Sequence, residues 1–469
     1  MGSHPITRAA VDDAIRYADR WLAFRQRATR VPGVQAAVWF DGELVLSTAH
    51  GVADEAAGEA LTAAHRFRIA SHSKTMTATV LAQMVEEGHL RLDDPVGTRL
   101  DWLHDSDSPV ADLTLFQLLA HAGGIPRDSA SSAHWQHEAP FLDADTLAER
   151  VLAEGTVTGA DVRFKYSNIG YALLGQVIEA VTGRSWAEEV RERIIDPLGL
   201  SDTGPDWSPD VDGPWATGHT GLAWADRRVP IDQVPTSAMA AATGVWSTAA
   251  DLCTYMAAHL PGDERLLTDA SKRRLQRPVQ QVEGVPEGGY GLGFITSRIA
   301  GRSGVGHNGG WAGHITSTVA LPEDGLVVSV LTNAIDGPAP ELVEGIIRLV
   351  DTAAAPVDAR LDHPALTRVP EGRYAWLWGV RDVAVLGGRA YLLSPTVPNP
   401  VAATVRLEPD ADDPDRWVMV EGPGYASVGE AVIVERDADG RVEALDMSGT
   451  RIVPIDRAVL PDRVTAPGS

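Results

Sequence analysis

Lysine is nearly missing from this chain. Only Lys74, Lys165 and Lys272 occur among 40 basic residues in 469, so each one invites a question about what keeps it there. Cysteine is scarcer still: the single Cys253 excludes an internal disulfide and any cysteine-based metal site. No run comes near the ~20 apolar residues that span a bilayer. Positive charge is outweighed as well. With 64 acidic residues the formal charge is −24, a surface that repels phosphate backbones and anionic lipid, so the expected partners include neither nucleic acid nor membrane. The first thirty residues are amphipathic and charged, without the apolar stretch of an export signal, and the expected location is cytoplasmic.

What is present is globular composition, 44% hydrophobic and 22% charged, in a chain too long for one ordinary core. Residues 34–52 alternate apolar and polar around Asp41-Gly42, a strong hairpin signal. Over 72–88 the apolar residues recur at i, i+4, and Gly88 suits a left-handed helix stop. Helices are predicted near 114–121, 145–154, 169–182 and 185–195, the last closed by Asp196-Pro197. Residues 204–240, rich in Gly, Pro and Trp, read as long loops. Ser247-Thr248 suits a cap for a helix to about His259. The period then returns to two over 291–297, 305–321 and 326–332, before a helix at 340–351. The order hairpin, helices, strands, helix predicts an α+β domain over 1–352. Residues 353–371 have no periodicity and are expected to be a linker. Residues 372–469 consist of short alternating segments between turn signals, a small all-β unit.

Three short motifs carry chemistry. In the first, Ser71-His72-Ser73-Lys74, residues three apart share a helix face, so the Ser71 hydroxyl and the Lys74 amine can meet. A hydroxyl becomes a useful nucleophile when a neighbour takes its proton, and a lysine does so once burial or another cation lowers its pKa. The plain alternative is a serine cap beside a solvated lysine. In the second, Tyr166-Ser167-Asn168, a tyrosine able to relay a proton precedes an asparagine able both to donate and to accept. A loop tyrosine with an asparagine cap is the alternative there. The third, His307-Asn308-Gly309-Gly310, falls in a period-two segment. Its glycines admit a substrate backbone, and the Gly310 amide suits an oxyanion donor. His121-Ala122-Gly123 and His219-Thr220-Gly221 share its H-x-G spacing but lie outside any strand pattern. His134 and His137 beside Glu138 match no ordered zinc motif, Cys253 reads as core, and no metal or cofactor is expected.

These motifs, in this order, resemble those of the penicillin-binding proteins and serine β-lactamases, and most closely the class C branch. LLAHAGGIP at 118–126, PLGL at 197–200 and GVWSTAADL at 244–252 look like that branch too. The resemblance spans about residues 30–350. It implies an antiparallel sheet flanked by helices, with a helical subdomain. It implies Ser71 as nucleophile, Lys74 as its base partner, Tyr166 as proton relay, Asn168 as contact to the acyl amide, and the Ser71 and Gly310 amides as oxyanion hole. His307 stands where β-lactamases and classical transpeptidases have lysine. Mostly neutral near pH 7, it offers less to a free carboxylate. The histidine variant is similar to D-stereospecific peptidases and amidases, to family esterases, and to the thioesterases of penicillin-binding-protein type that release nonribosomal peptides as macrocycles. The all-β tail resembles the lipocalin-like domain of those thioesterases, and Arg451 within it is a candidate contact for a substrate carbonyl or carboxylate. The function expected is acyl transfer through Ser71 on a peptidyl thioester or other small acyl substrate with a C-terminal D-residue, delivered in one version by a carrier-protein domain. Hydrolysis of D-amino acid amides or esters is the second expectation, and a non-catalytic binding protein on the same fold the third.

Overall fold

The computed structural model describes residues 4–283, 287–356, 361, 363–424, 426–459 and 463–464. The chain divides into two compact units. One holds residues 29–343; the other joins residues 4–28 to everything from Glu344 onward. The sequence reading placed a break at 352 and left the first helix with the first domain. The observed division differs on both points.

The first unit is built on an antiparallel sheet. Its strands in chain order are β1 (Gly33–Phe40), β2 (Glu43–Asp54), β3 (Glu59–Ala60), β4 (Gln280–Gln281), β5 (Gly289–Tyr290), β6 (Ile295–Ile299), β7 (Arg302–Trp311), β8 (His314–Leu321) and β9 (Leu326–Thr332). Their order across the sheet is β3-β2-β1-β9-β8-β7-β6-β5-β4, so the N-terminal hairpin joins strands from the far end of the unit through the β1–β9 pairing. Asp41 and Gly42 both take positive φ (+49° and +89°), the backbone a tight two-residue hairpin needs. The segment predicted as strand over 305–321 is two strands, folded back at Ala312-Gly313.

The helices of this unit include α2 (Ser73–Glu86), α3 (Asn168–Thr182) and α4 (Ala249–Ala257), with α1 (Arg8–Ala28) preceding them in the chain and α5 (Ala339–Ala354) following. Ser167 caps α3 by accepting from the Gly170 amide, and Thr248 caps α4 by accepting from that of Asp251. α4 packs on β1, β8 and β9, and Cys253 on it is buried with its thiol against the Ala37 carbonyl. That is a core position, and burial pushes its pKa up. α2 and α3 pack on each other and on the short helix Ala240–Thr243. The helix predicted over 185–195 widens at Arg191–Ile195 into i→i+5 geometry and runs through Asp196-Pro197 to Leu198. The proline falls early in a new turn, where its missing N–H costs little.

In the second unit eight strands close into an antiparallel barrel, β10 (Gly372–Trp376), β11 (Gly379–Leu386), β12 (Arg389–Leu393), β13 (Val405–Pro409), β14 (Arg416–Glu421), β15 (Ala431–Arg436), β16 (Val442–Met447) and β17 (Thr450–Pro454). Tyr374 and Ala375 of β10 pair with Pro454 and Val453 of β17 to close it. The fold is therefore α+β with an all-β barrel, and the barrel is consistent with a lipocalin-like domain. Helix α1 belongs to this unit because its Tyr17 hydroxyl donates to Asp382 on β11, a carboxylate that also takes two bonds from Arg373. In the predicted linker, a short helix His363–Leu366 forms; residues 357–360 and 362 lie outside those described. No described helix is long and apolar enough to cross a membrane. Trp417 is fully buried at the barrel's centre, and Trp417→Ala is expected to cost about 3–5 kcal/mol. Chemical denaturation followed by circular dichroism measures it; an unshifted midpoint would mean this indole does not hold the barrel together.

Candidate active site

Ser71 sits on a single 3₁₀ turn, Ala70–His72, that feeds directly into α2. Ala70 takes φ +46°, a backbone conformation unfavourable for a residue with a Cβ, and such strain persists only where the surroundings enforce it. Here the Ile69 amide is held by the Val245 carbonyl, and the Ser73 hydroxyl donates to the Ala70 carbonyl at 2.6 Å while accepting from the Val245 amide. The neighbouring His72 is locked on both sides, with Nδ1 donating to the Ile69 carbonyl and Nε2 accepting from the Thr318 hydroxyl. Every neighbour of Ser71 is thus pinned, and its Oγ is presented at the head of the helix.

One helical turn on, Lys74 is fully buried. Its Nζ stands 3.2 Å from Ser71 Oγ, 2.7 Å from Asn168 Oδ1 and 2.8 Å from the Ala242 carbonyl. All three oxygens are placed to accept from the amine, and the Ser71 hydroxyl becomes the donor to Nζ once Lys74 has lost a proton. The electrostatics agree. Burial holds the Lys74 ammonium well below its ordinary pKa, Asp128 partly opposes this, and Arg127 adds to it. The Tyr166 hydroxyl donates to Ser71 Oγ at 2.8 Å, and burial raises its phenol, so it stands there as a neutral hydroxyl. The Lys74 amine also lies 4.8 Å from the centre of the Tyr166 ring. Serine and lysine from one segment and tyrosine from another therefore meet at one oxygen.

Asn168 opens α3 and is buried. Its Oδ1 accepts from Lys74 while its Nδ2 donates to Asp128 Oδ1 at 2.5 Å, and Arg127 pairs with that carboxylate at 3.2 Å. The sequence reading gave Asn168 to the substrate. In this geometry its amide is spent on holding Lys74, with Asp128 fixing which way the amide points. His307 lies on β7, buried, with Nδ1 donating to the Asn308 carbonyl at 2.6 Å and Nε2 accepting from the Tyr290 hydroxyl at 3.1 Å. Burial, Lys74 and His72 all lower its pKa, so it is a neutral ring whose hydrogen bonds go to Tyr290 and its own backbone. Gly309 is where β7 crosses the Ser71 turn: a Cβ there would stand 2.1 Å from the Ile69 carbonyl oxygen. Gly310 is exposed, and a Cβ on it would meet nothing closer than 3.7 Å. Arg451 stands on β17 of the second unit, its guanidinium paired with Glu435 and Glu443 of the same barrel.

Several members of the cluster escaped the sequence reading. His121 was set aside as a chance repeat of the H-x-G spacing, yet its ring lies 4.3 Å from that of Tyr166 and 4.7 Å from that of Tyr290, and its Nδ1 accepts from the Ser167 amide. No sequence pattern announces it, and its positive φ (+54°) is visible only in the structure. Asp128, Tyr290 and the Ala242 carbonyl carry no motif at all.

The beta-lactamase family model matches residues 18–351. Penicillin-binding protein 4 of Amycolatopsis lactamdurans is 31% identical over 335 residues, which are 68% of this chain and 85% of that protein. Among solved structures, a D-stereospecific amidohydrolase from Streptomyces sp. is 28% identical with a TM-score of 0.61, covering 70% of this chain and 96% of that one. The structure of SurE is 25% identical with a TM-score of 0.62 and covers 95% of this chain and all of that one.

The lowered pKa of Lys74 fixes the sign of a pH effect. The amine takes a proton only when neutral, so acylation by p-nitrophenyl acetate is expected to fall as pH drops through the depressed lysine pKa and to reach its plateau well below pH 10.5, the ordinary lysine value. A rate still climbing through pH 10 would mean that Lys74 is an ordinary ammonium.

Proposed function

This chain belongs to the beta-lactamase family and is a serine hydrolase of that family, and from that premise we propose that it works through an acyl-Ser71 ester. The observation that carries the proposal is the convergence of Lys74 Nζ and the Tyr166 hydroxyl on Ser71 Oγ at 3.2 and 2.8 Å. In the first half, Oγ attacks an acyl carbon and its proton passes to the neutral Lys74 amine. The leaving group departs with a proton returned through the Tyr166 hydroxyl, which donates one proton as it accepts another and so never stands as a free phenolate. The Ser71 and Gly310 amides hold the negative charge that develops on the acyl oxygen. In the second half an incoming nucleophile loses its proton along the same route and releases Ser71. Asn168 acts through Lys74, and His307 through Tyr290; neither is required to touch the reacting atoms.

As acyl donor we favour a peptidyl thioester whose C-terminal residue is D, carrier-bound or free, resolved by the peptide's own amine to give a macrocycle, with hydrolysis as the competing outcome. Two features support this. Neutral His307 supplies no fixed cation of the kind a transpeptidase lysine offers to a free substrate carboxylate. The second is the all-β tail, whose closed barrel is consistent with the lipocalin-like domain that the sequence likens to that of such thioesterases. The second reading, hydrolysis of D-amino acid amides or esters, is favoured by the likeness to the Streptomyces amidohydrolase. A substrate-facing role for Arg451 and a cytoplasmic location belong to the same proposal.

Incubation with a D-terminal peptidyl thioester, followed by mass spectrometry, separates these outcomes. The expected product is a cyclic peptide one water lighter than the linear acid; acid alone would defeat cyclisation and leave the hydrolase. Ser71→Ala is expected to abolish turnover, and Lys74→Ala and Tyr166→Phe to slow acylation about 10²-fold or more. Rates at the native level in either variant would remove that residue from the mechanism.

A further inference from the structure

Immediately beside the glycine proposed as oxyanion donor lies a cavity of about 780 Å³ that the chemistry above leaves unused. Gly310 and Trp311 of β7 form part of its wall, and the adjacent Gly309 is the point at which β7 touches Ile69, two residues before Ser71. The cavity therefore opens next to the scissile position. Its lining is aromatic, with Trp135, Trp224 and Trp311. Trp311 is buried and stacked on Phe141, whereas Trp224 is 89% exposed.

The charge in the cavity has one sign. Of its two aspartates, Asp336 is neutralised by Arg228, but Asp232 makes no hydrogen bond or ion pair with any described residue. Asp232 is exposed to solvent and faces the His137 ring, whose pKa is lowered by burial, raised by Asp232 and lowered by Arg68. Two indole N–H groups, those of Trp135 and Trp311, and Nε2 of His137 also lack partners among the described residues. The Trp311 ring already carries the Arg68 guanidinium 4.0 Å from its centre and stacks on Phe141, so the anionic Asp232 and the rings of Trp135 and Trp224 are what repel a carboxylate and attract an ammonium.

We propose that this cavity binds the amine partner of the acyl transfer: an ammonium on an amino-acid residue with an apolar or aromatic side chain, with Asp232 as its counter-ion and the three tryptophans as walls. This rests on the acyl-Ser71 reading and names the nucleophile of its second half. The bound ammonium gives one proton to solvent; the freed nitrogen attacks the ester carbon; the carbon–Oγ bond breaks as an amide bond forms. The nitrogen's surplus proton travels through the Tyr166 hydroxyl to Ser71 Oγ, which leaves as a hydroxyl. Holding the amine here makes its attack effectively intramolecular and occupies space that water would use.

Calorimetric titration of the Ser71→Ala protein tests the cavity without any chemistry. D-Phenylalaninamide is expected to bind more tightly than 3-phenylpropionamide, which lacks the amine, and Asp232→Asn is expected to weaken D-phenylalaninamide about tenfold, the scale of one charge-assisted hydrogen bond. Equal binding of the two amides, or no effect of Asp232→Asn, would overturn the assignment. A second experiment acylates the native enzyme with a peptidyl thioester in the presence of D-phenylalaninamide and measures the ratio of amide to acid product. That ratio should rise with amine concentration and fall about tenfold in Asp232→Asn, by the same arithmetic. An acyl adduct that yields acid at an unchanged ratio would overturn the cavity's role while leaving the serine chemistry in place. No adduct on Ser71 would sink the serine chemistry, and the calorimetry would still decide the cavity.

Discussion

A buried amine surrounded by two carbonyl oxygens and one hydroxyl is the constraint from which the rest of this site follows. Lys74 cannot remain an ammonium cheaply where it is, because α2, α3 and the Ala240–Thr243 helix enclose it and burial penalises the charge. Asn168 Oδ1 and the Ala242 carbonyl take up the two N–H groups of the neutral form. The remaining lone pair then has one direction left, toward Ser71 Oγ. Asp128 secures this by fixing the Asn168 amide, and Arg127 keeps the carboxylate engaged. Burial is what lowers the Lys74 pKa, with Arg127 adding to it and Asp128 opposing it.

The sheet and the helices cooperate to keep that oxygen in place. Ser71 lies between α2, which it starts, and β7, whose Gly309 passes so close to the Ile69 carbonyl that no side chain fits. The strained Ala70 backbone is the local consequence of forcing a turn into that gap. The cavity continues along the same strand, so the reacting atoms and the proposed amine pocket share one rigid wall rather than depending on separate loops. Trp135, Trp224 and Trp311 line that cavity together with the exposed Asp232.

How much of this was legible beforehand depended on range. Ser71 and Lys74 are three apart on one helix, and Tyr166 and Asn168 two apart at a helix start, so local geometry was enough to bring each pair out of the sequence. The Asp41-Gly42 hairpin and the alternating tail were legible for the same reason. Contacts across more than a hundred residues were not: nothing near Ala242 marks its carbonyl as a lysine partner, and His121 shares a spacing with the β7 motif yet serves the site from a different element. Asn168 was recognised as important but assigned to the substrate, because the residue type alone does not say where its amide points. Helix α1 looked like the start of the first domain; contacts distant in sequence, such as the Tyr17–Asp382 and Arg25–Thr396 bonds, reveal its place with the barrel. The segment 204–240 read as loops, which it largely is, and its composition did not show that Trp224 and Asp232 line a cavity.

Because the chain has only three lysines, the charge state at the centre of this account can be observed directly. NMR titration of the protein with isotope-labelled lysine side chains, with Lys165 and Lys272 assigned by substitution, follows the Lys74 ε-group through its ionisation. The account predicts that Lys74 in the unacylated protein loses its proton well below the ordinary value of 10.5. A Lys74 that titrates at or above that value would contradict it, since a permanent ammonium cannot accept the Ser71 proton.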